Sequence, residues 1–191
     1  RPICSAIRLP VNYLITGSAT GDRDLFLANL QKALQQGLRL VQLRAPGLDA
    51  QNYLRLAVEA LALCRSYRAQ LLLNAEPAML QRVPTDGIHL NSRRLMALRQ
   101  RPLGRKKWLA ASCHSAAELC HAERLGVDFV VLSPVLPTAS HGNARPLGWN
   151  AFKWPGHGLG DDTMYQYVEG EYMRDDEYDE FIFDPSDFML R

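Results

Sequence analysis

The chain has no run of 18 or more apolar residues, and its first residues lack the charged-then-apolar order of a secretory signal. Nothing in it marks a membrane or export, so a soluble cytoplasmic protein is the expectation. None of its cysteines, Cys4, Cys64, Cys113 and Cys120, forms a C-x-x-C pair. Each sits in an otherwise apolar segment, which points to buried free thiols rather than metal ligands. No G-x-G-x-x-G turn follows the first strand-like run, so dinucleotide binding has no motif. The first residue is Arg1 rather than Met, which fits processing or a domain cut from a longer polypeptide.

At 191 residues and 47% apolar content, the chain is long enough to bury a substantial core. Its net charge of +2 conceals an asymmetry. Residues 1–155 carry 20 Lys/Arg against 9 Asp/Glu, whereas residues 156–191 carry 2 against 11. The basic arginines are spread over many segments without interleaved aromatics, so a phosphorylated small molecule fits as well as a nucleic acid. A third use of the asymmetry is an acidic tail folded back on the basic part.

Short β-prone runs alternate with helical periodicity along the first part. Residues 11–16 (VNYLIT) are followed by a helix over 23–36 with Phe26, Leu30, Ala33 and Leu34 on one face. Residues 38–44 (LRLVQLR) precede a helix over about 50–67 with a stripe of Leu54, Ala57, Ala60, Leu61 and Cys64. Residues 70–74, 87–91, 108–112 and 129–133 supply four more strands, with a helical turn after the first and a helix over 115–125 before the last. Continuous apolar strands alternating with helices indicate a parallel sheet covered on both faces. Gln42, Arg44, Asn74, His89, Asn91, Ser112, His114 and Ser133 gather at strand ends, where a β/α barrel places its site. The predicted fold is therefore α/β, an incomplete TIM-type (β/α) barrel of about six β-α units over residues 1–150. Residues 151–191 form an acidic, aromatic-rich C-terminal extension, in which 175–183 suits an acidic helix.

Five segments, VQLR (41–44), LLLNA (71–75), DGIHLN (86–91), ASCHS (111–115) and GVDFVVLSPVLPTASH (126–141), together resemble the thiamin phosphate synthase and thiazole tautomerase family over about residues 11–149. The resemblance implies a β/α barrel whose mouth holds a pyrimidine diphosphate, with magnesium, beside a thiazole phosphate. It implies that Gln42 and Arg44 stand near the pyrimidine and its diphosphate, Asn74 beside it, Ser112 near the leaving group, and Thr138 and Ser140 on the thiazole phosphate. His141 stands where the family has a lysine after its P-T-x-T pattern. The partners implied are small phosphorylated thiazoles or pyrimidines, not nucleic acid or membrane.

The departures bear on activity. Pro46 replaces the lysine of Q-x-R-x-K, and Ala75 and Arg94 fall where the family has its two magnesium carboxylates. No cofactor is therefore expected, magnesium being implied by the resemblance alone, and full synthase activity is not expected. In the tautomerase branch a histidine at the end of the fifth strand moves the proton, and His114 falls on that position. Imidazole suits that role because it titrates near neutrality. The alternative is that His114 caps the helix beginning near Ser115. His89 reads as structural, and Arg44 on a strand calls for an anionic ligand or a carboxylate partner.

Similar barrels also form the C-terminal part of longer Nudix hydrolase fusions, in which the domain binds a thiamin precursor without turnover. Residues 154–191 resemble an internal segment of uroporphyrinogen decarboxylase-like proteins, too short to carry that fold. An inactive chimera is accordingly a further reading. In it six strands leave an open edge that the tail covers or that drives homo-oligomerisation.

Overall fold

The computed structural model describes residues 12–17 and 22–132, together with the backbone of 181–183. Six parallel strands alternate with helices: β1 (Tyr13–Ile15), α1 (Arg23–Gln35), β2 (Leu40–Leu43), α2 (Ala50–Ser66), β3 (Gln70–Leu73), a 3-10 turn (Pro77–Gln81), β4 (Gly87–Leu90), α3 (Ser92–Ala97), β5 (Trp108–Cys113), α4 (Ala116–Leu125) and β6 (Phe129–Leu132). The strands follow chain order, each pairing with its sequence neighbour, and the sheet curls into a half-barrel. A seventh strand, β7 (Phe181–Phe183), runs antiparallel to β6, with Val131 opposite Ile182. The helix expected over 175–183 is corrected at 181–183, which form a strand, while 175–180 lie outside the described residues. The unpaired backbone of β6 is a template that a three-residue aromatic run can satisfy.

Why the helices start where they do is local. Asp22 accepts from the N–H groups of Asp24 and Leu25, Asp49 from those of Gln51 and Asn52, and Ser115 from that of Glu118. Each cap satisfies donors that a helix N-terminus leaves open, contributing about 1 kcal/mol. Asn91 does the same for α3 by accepting from Arg94 N–H, and this helix was not anticipated by the sequence reading. Only Leu95 of its six residues is buried, which leaves too little periodicity to recognise.

Strand alternation sorts side chains to two faces. Outward residues such as Val41, Leu43, Leu71, Leu73, Ile88, Leu90, Leu109, Ala111 and Cys113 pack against the helices. On α2 the buried stripe is Leu56, Ala57, Ala60, Leu61 and Cys64, with Leu56 taking the place expected of the half-buried Leu54. The concave face carries a separate cluster of Tyr13, Leu40, Leu72, Ala110, Phe129 and Val131. Tyr13 and Trp108 meet Phe129 edge to face at centroid distances of 5.2 and 5.9 Å.

Two aspartates lock the starts of the strands. Asp86 Oδ2 accepts from Leu71 N–H at 2.9 Å while its own N–H donates to Leu71 O. Asp128 repeats the arrangement with Leu109. Of the cysteines, Cys64 and Cys113 are buried free thiols, and burial pushes each up to about 12. Cys120 is exposed, contrary to expectation, because it lies on the solvent side of α4 while Ala122 and Leu125 face inward. Cys4 lies outside the described residues. Among those residues no helix is long and apolar enough to cross a membrane.

Candidate functional site

The concave face ends in a polar layer. Stepping two residues on from Leu40, Leu72, Gly87 and Ala110 reaches Gln42, Asn74, His89 and Ser112, which share that face with Tyr13. The five side chains are joined in one row. Asn74 Nδ2 donates to Gln42 Oε1 at 2.8 Å, and Gln42 Nε2 donates to Tyr13 Oη at 3.2 Å. Tyr13 Oη lies 3.0 Å from His89 Nδ1, and His89 Nε2 lies 2.8 Å from Ser112 Oγ. Gln42 and His89 are 1% and 0% exposed, so the row is largely sealed from water and its hydrogen bonds are obligatory.

At the Asn74 end the row meets charge. Arg94 Nη1 donates to Asn74 Oδ1 at 3.1 Å, while Arg94 Nε donates to Glu76 Oε1 at 2.8 Å. These residues border a cleft of about 620 Å³ at the ends of β2, β3 and β4, formed from the β2–α2 loop, Tyr53, the 3-10 turn and the start of α3. Among the described residues, three arginines, Arg44, Arg82 and Arg94, line it together with one carboxylate, Glu76. Tyr53 Oη donates to Leu43 O at 2.9 Å, and burial raises its phenol well above the ordinary value, which keeps it neutral. Burial, with the Arg44 charge adding to it, pushes His89 down to about 3, so its ring is neutral at physiological pH.

The residues singled out in the sequence divide accordingly. Gln42, Asn74 and Ser112 come together in the row. Arg44 borders the cleft but not the row, and it lies one residue beyond β2 with an exposed side chain. The expectation of a buried strand arginine is therefore corrected: the strand ends at Leu43, and the guanidinium needs no partner to offset desolvation. His114 is exposed at the end of β5, its backbone N–H donating to Glu118 Oε2 at 2.6 Å. The helix cap is supplied by Ser115 instead. Thr138, Ser140 and His141 lie outside the described residues. Tyr13 and Arg94 were missed as site members; the available signal was a tyrosine on a buried strand, whose hydroxyl must find a partner.

Comparison with known proteins agrees with this fold. A family model described as Thiamine monophosphate synthase matches residues 12–159. A protein named "Putative thiamine-phosphate synthase 2" from Aquifex aeolicus is 34% identical over 147 residues, covering 77% of this chain and 78% of that protein. The thiamine-phosphate synthase of Listeria monocytogenes serotype 4a is 30% identical over 146 residues, covering 73% and 68%. Among solved structures, a thiamine phosphate pyrophosphorylase from Pyrococcus furiosus superposes with a TM-score of 0.54 at 23% identity, which speaks to the fold. That superposition covers 72% of this chain but 65% of the archaeal one, so this chain spans under two thirds of its length.

Proposed function

This chain belongs to the thiamine monophosphate synthase family, and from that premise we propose that it binds a pyrimidine diphosphate in the arginine-lined cleft, with turnover impaired relative to its relatives. The observation that carries the reading is the junction at Asn74, where a cleft with three arginines against one carboxylate meets an uncharged, buried row of hydrogen-bonding groups. Guanidinium groups match phosphate oxygens in paired hydrogen bonds, and a neutral polar row suits a heterocycle. Arg44, Arg82 and Arg94 would hold the diphosphate, and Asn74, Gln42 and Ser112 would orient the ring.

The magnesium implied by the family resemblance does not fit these residues. Magnesium takes oxygen ligands, usually one or two carboxylates beside waters and substrate phosphates. Among the described residues no three of His, Cys, Asp or Glu gather where they could hold an ion. Glu76, the one carboxylate lining the cleft among the described residues, is engaged by Arg94, and Ala75 has no side-chain ligand to offer. In this reading the arginines would hold the diphosphate, and the impairment would come from the lack of carboxylate ligands among the described residues.

Calorimetric titration of the purified chain with the aminopyrimidine diphosphate, the thiazole phosphate and thiamine phosphate tests the reading. Binding of the diphosphate that survives a chelator is expected, with slow or absent coupling to the thiazole. At ligand 100 times its dissociation constant the fold should gain about 2.7 kcal/mol. Absence of heat and of thermal stabilisation with every one of these compounds would refute it.

A further inference from the structure

The row of side chains between the cleft and Ser112 has a direction, and its direction is set at one end. Arginine has hydrogen-bond donors and no acceptor. The atom of Asn74 that meets Arg94 must therefore be Oδ1, as observed at 3.1 Å. That choice turns Nδ2 toward Gln42, which must present Oε1 at 2.8 Å. Gln42 then has only Nε2 left for Tyr13 Oη. The phenol oxygen accepts there, and continuing in the same sense its proton goes to His89 Nδ1, 3.0 Å away. A nitrogen that accepts carries no proton, so in the neutral ring the proton sits on Nε2 and is donated to Ser112 Oγ at 2.8 Å. Ser112 accepts through its oxygen, and its own proton is left to point elsewhere.

We propose that Arg94 fixes the polarity of this entire row, holding His89 as the Nε2–H tautomer and making Ser112 a hydrogen-bond donor to the ligand in the barrel mouth. His89 and Arg94 are thus positioning residues that act through Ser112. The ligand atom that takes the Ser112 proton carries a lone pair, as phosphate oxygens and unprotonated ring nitrogens do. An amino group at the same place would confront a proton. Each link has one donor and one acceptor, so a single reversed amide reverses everything beyond it. The coupling spans residues from α3 to β5 without a charged group in between, because every intermediate member is neutral: two amides, a phenol and an imidazole whose burial keeps it unprotonated.

The inference deepens the proposed binding site, but its test needs no ligand, so it fails or stands separately from that reading. Asn74→Asp is the sharp probe. A carboxylate still accepts from Arg94 but offers Gln42 only an acceptor. The Gln42 amide must then turn its Nε2 to residue 74 and its Oε1 to Tyr13. Tyr13 would donate to Gln42 and accept from His89 Nδ1–H, leaving His89 Nε2 bare to accept from Ser112. Nitrogen-15 NMR of histidine-labelled protein reads this directly, because protonated and bare ring nitrogens resonate far apart. The His89 signals are assigned by their loss in His89→Gln.

In the unaltered chain a protonated Nε2 and a bare Nδ1 are expected, with the two exchanging places in Asn74→Asp and remaining as they were in Arg94→Lys, which keeps a donor-only cation. Gln42→Glu should give the same exchange by the same logic and serves if the first variant does not fold. A protonated Nδ1 in the unaltered chain would overturn the proposal by itself. So would an unchanged tautomer in a folded Asn74→Asp or Gln42→Glu protein.

Discussion

Arg101 and Asp128 share a charged hydrogen bond of 2.8 Å beneath the sheet, each with a side chain only 10% exposed. Arg101 also donates to the carbonyls of Leu103, Lys107 and Gly126, and Asp128 accepts from Leu109 N–H at 2.7 Å. One ion pair therefore ties the segment before β5 to the start of β6. Replacing either partner leaves the other charge buried without compensation. Asp128→Ala and Arg101→Met should each cost about 3–5 kcal/mol in urea unfolding. The exposed pair Arg23 and Glu59, 3.4 Å apart, provides the contrast: Arg23→Ala should change stability by no more than about 0.5 kcal/mol. Equal effects at the two sites would contradict the assignment of the buried pair as a structural tie.

His89 gives the fold a pH dependence of calculable sign. An unfolded histidine takes its proton near pH 6.5, whereas buried His89 takes one only near pH 3. Below 6.5 the unfolded state binds the proton and the folded state does not. The stability is thus complete above pH 6.5, falls as the pH drops, and levels off near pH 3. Between pH 7 and pH 5 this amounts to roughly 2 kcal/mol. His89→Gln should remove that increment, so the variant loses about 2 kcal/mol less than the unaltered chain over the same interval. Parallel pH profiles for the two proteins would show that His89 is not the neutral, sealed ring described above.

Among the described residues, Gly87 is the glycine whose lack of a side chain is forced by close backbone contact. A Cβ there would stand 2.2 Å from Trp108 O and 2.6 Å from Trp108 Cβ, atoms fixed by the β4–β5 pairing. Gly87→Ala should therefore lower stability by at least about 1–3 kcal/mol, seen as a fall in Tm. Gly104, which has no atom within 4 Å of its added Cβ, should accept alanine with little change.

Arg44 and Arg82 are exposed, so their removal tests the cleft without disturbing the core. Each alanine variant should bind inorganic pyrophosphate about tenfold more weakly, a loss of roughly 1.4 kcal/mol, with an unchanged Tm in the absence of anion. Raising the salt concentration should weaken binding to the unaltered chain further, since the guanidinium groups face open solvent. Calorimetry at two ionic strengths measures both effects, and insensitivity to both substitutions would move the anion elsewhere.

The alternation of strands and helices was legible because it is local. A parallel strand buried on both faces is written as a short apolar run such as LVQL or FVVL, and a helix that covers it repeats its apolar residues at helical spacing. Gln42, Asn74 and Ser112 could be named because polar residues at strand ends stand out against apolar strands. In the sequence Arg94 marks only a lost metal ligand, since its position in a motif says which residue is missing and not what the replacement touches. α3 was invisible because six residues with one buried side chain carry almost no pattern. The strand at 181–183 depends on a free edge far away in the chain, which no local window contains.

The sequence by itself determined six strands, three of the helices and their order, because backbone propensity, helix capping and apolar periodicity act between residues only a few positions apart, and its motifs carried the family. Only the tertiary structure decided which polar side chains form the site. Tyr13 meets His89 across 76 positions, and Asn74 meets Gln42 across 32. Such meetings depend on strand register and on the curl of the sheet. A hydrogen bond is made or lost within a few tenths of an ångström, and that distance is fixed only when the strands are packed together.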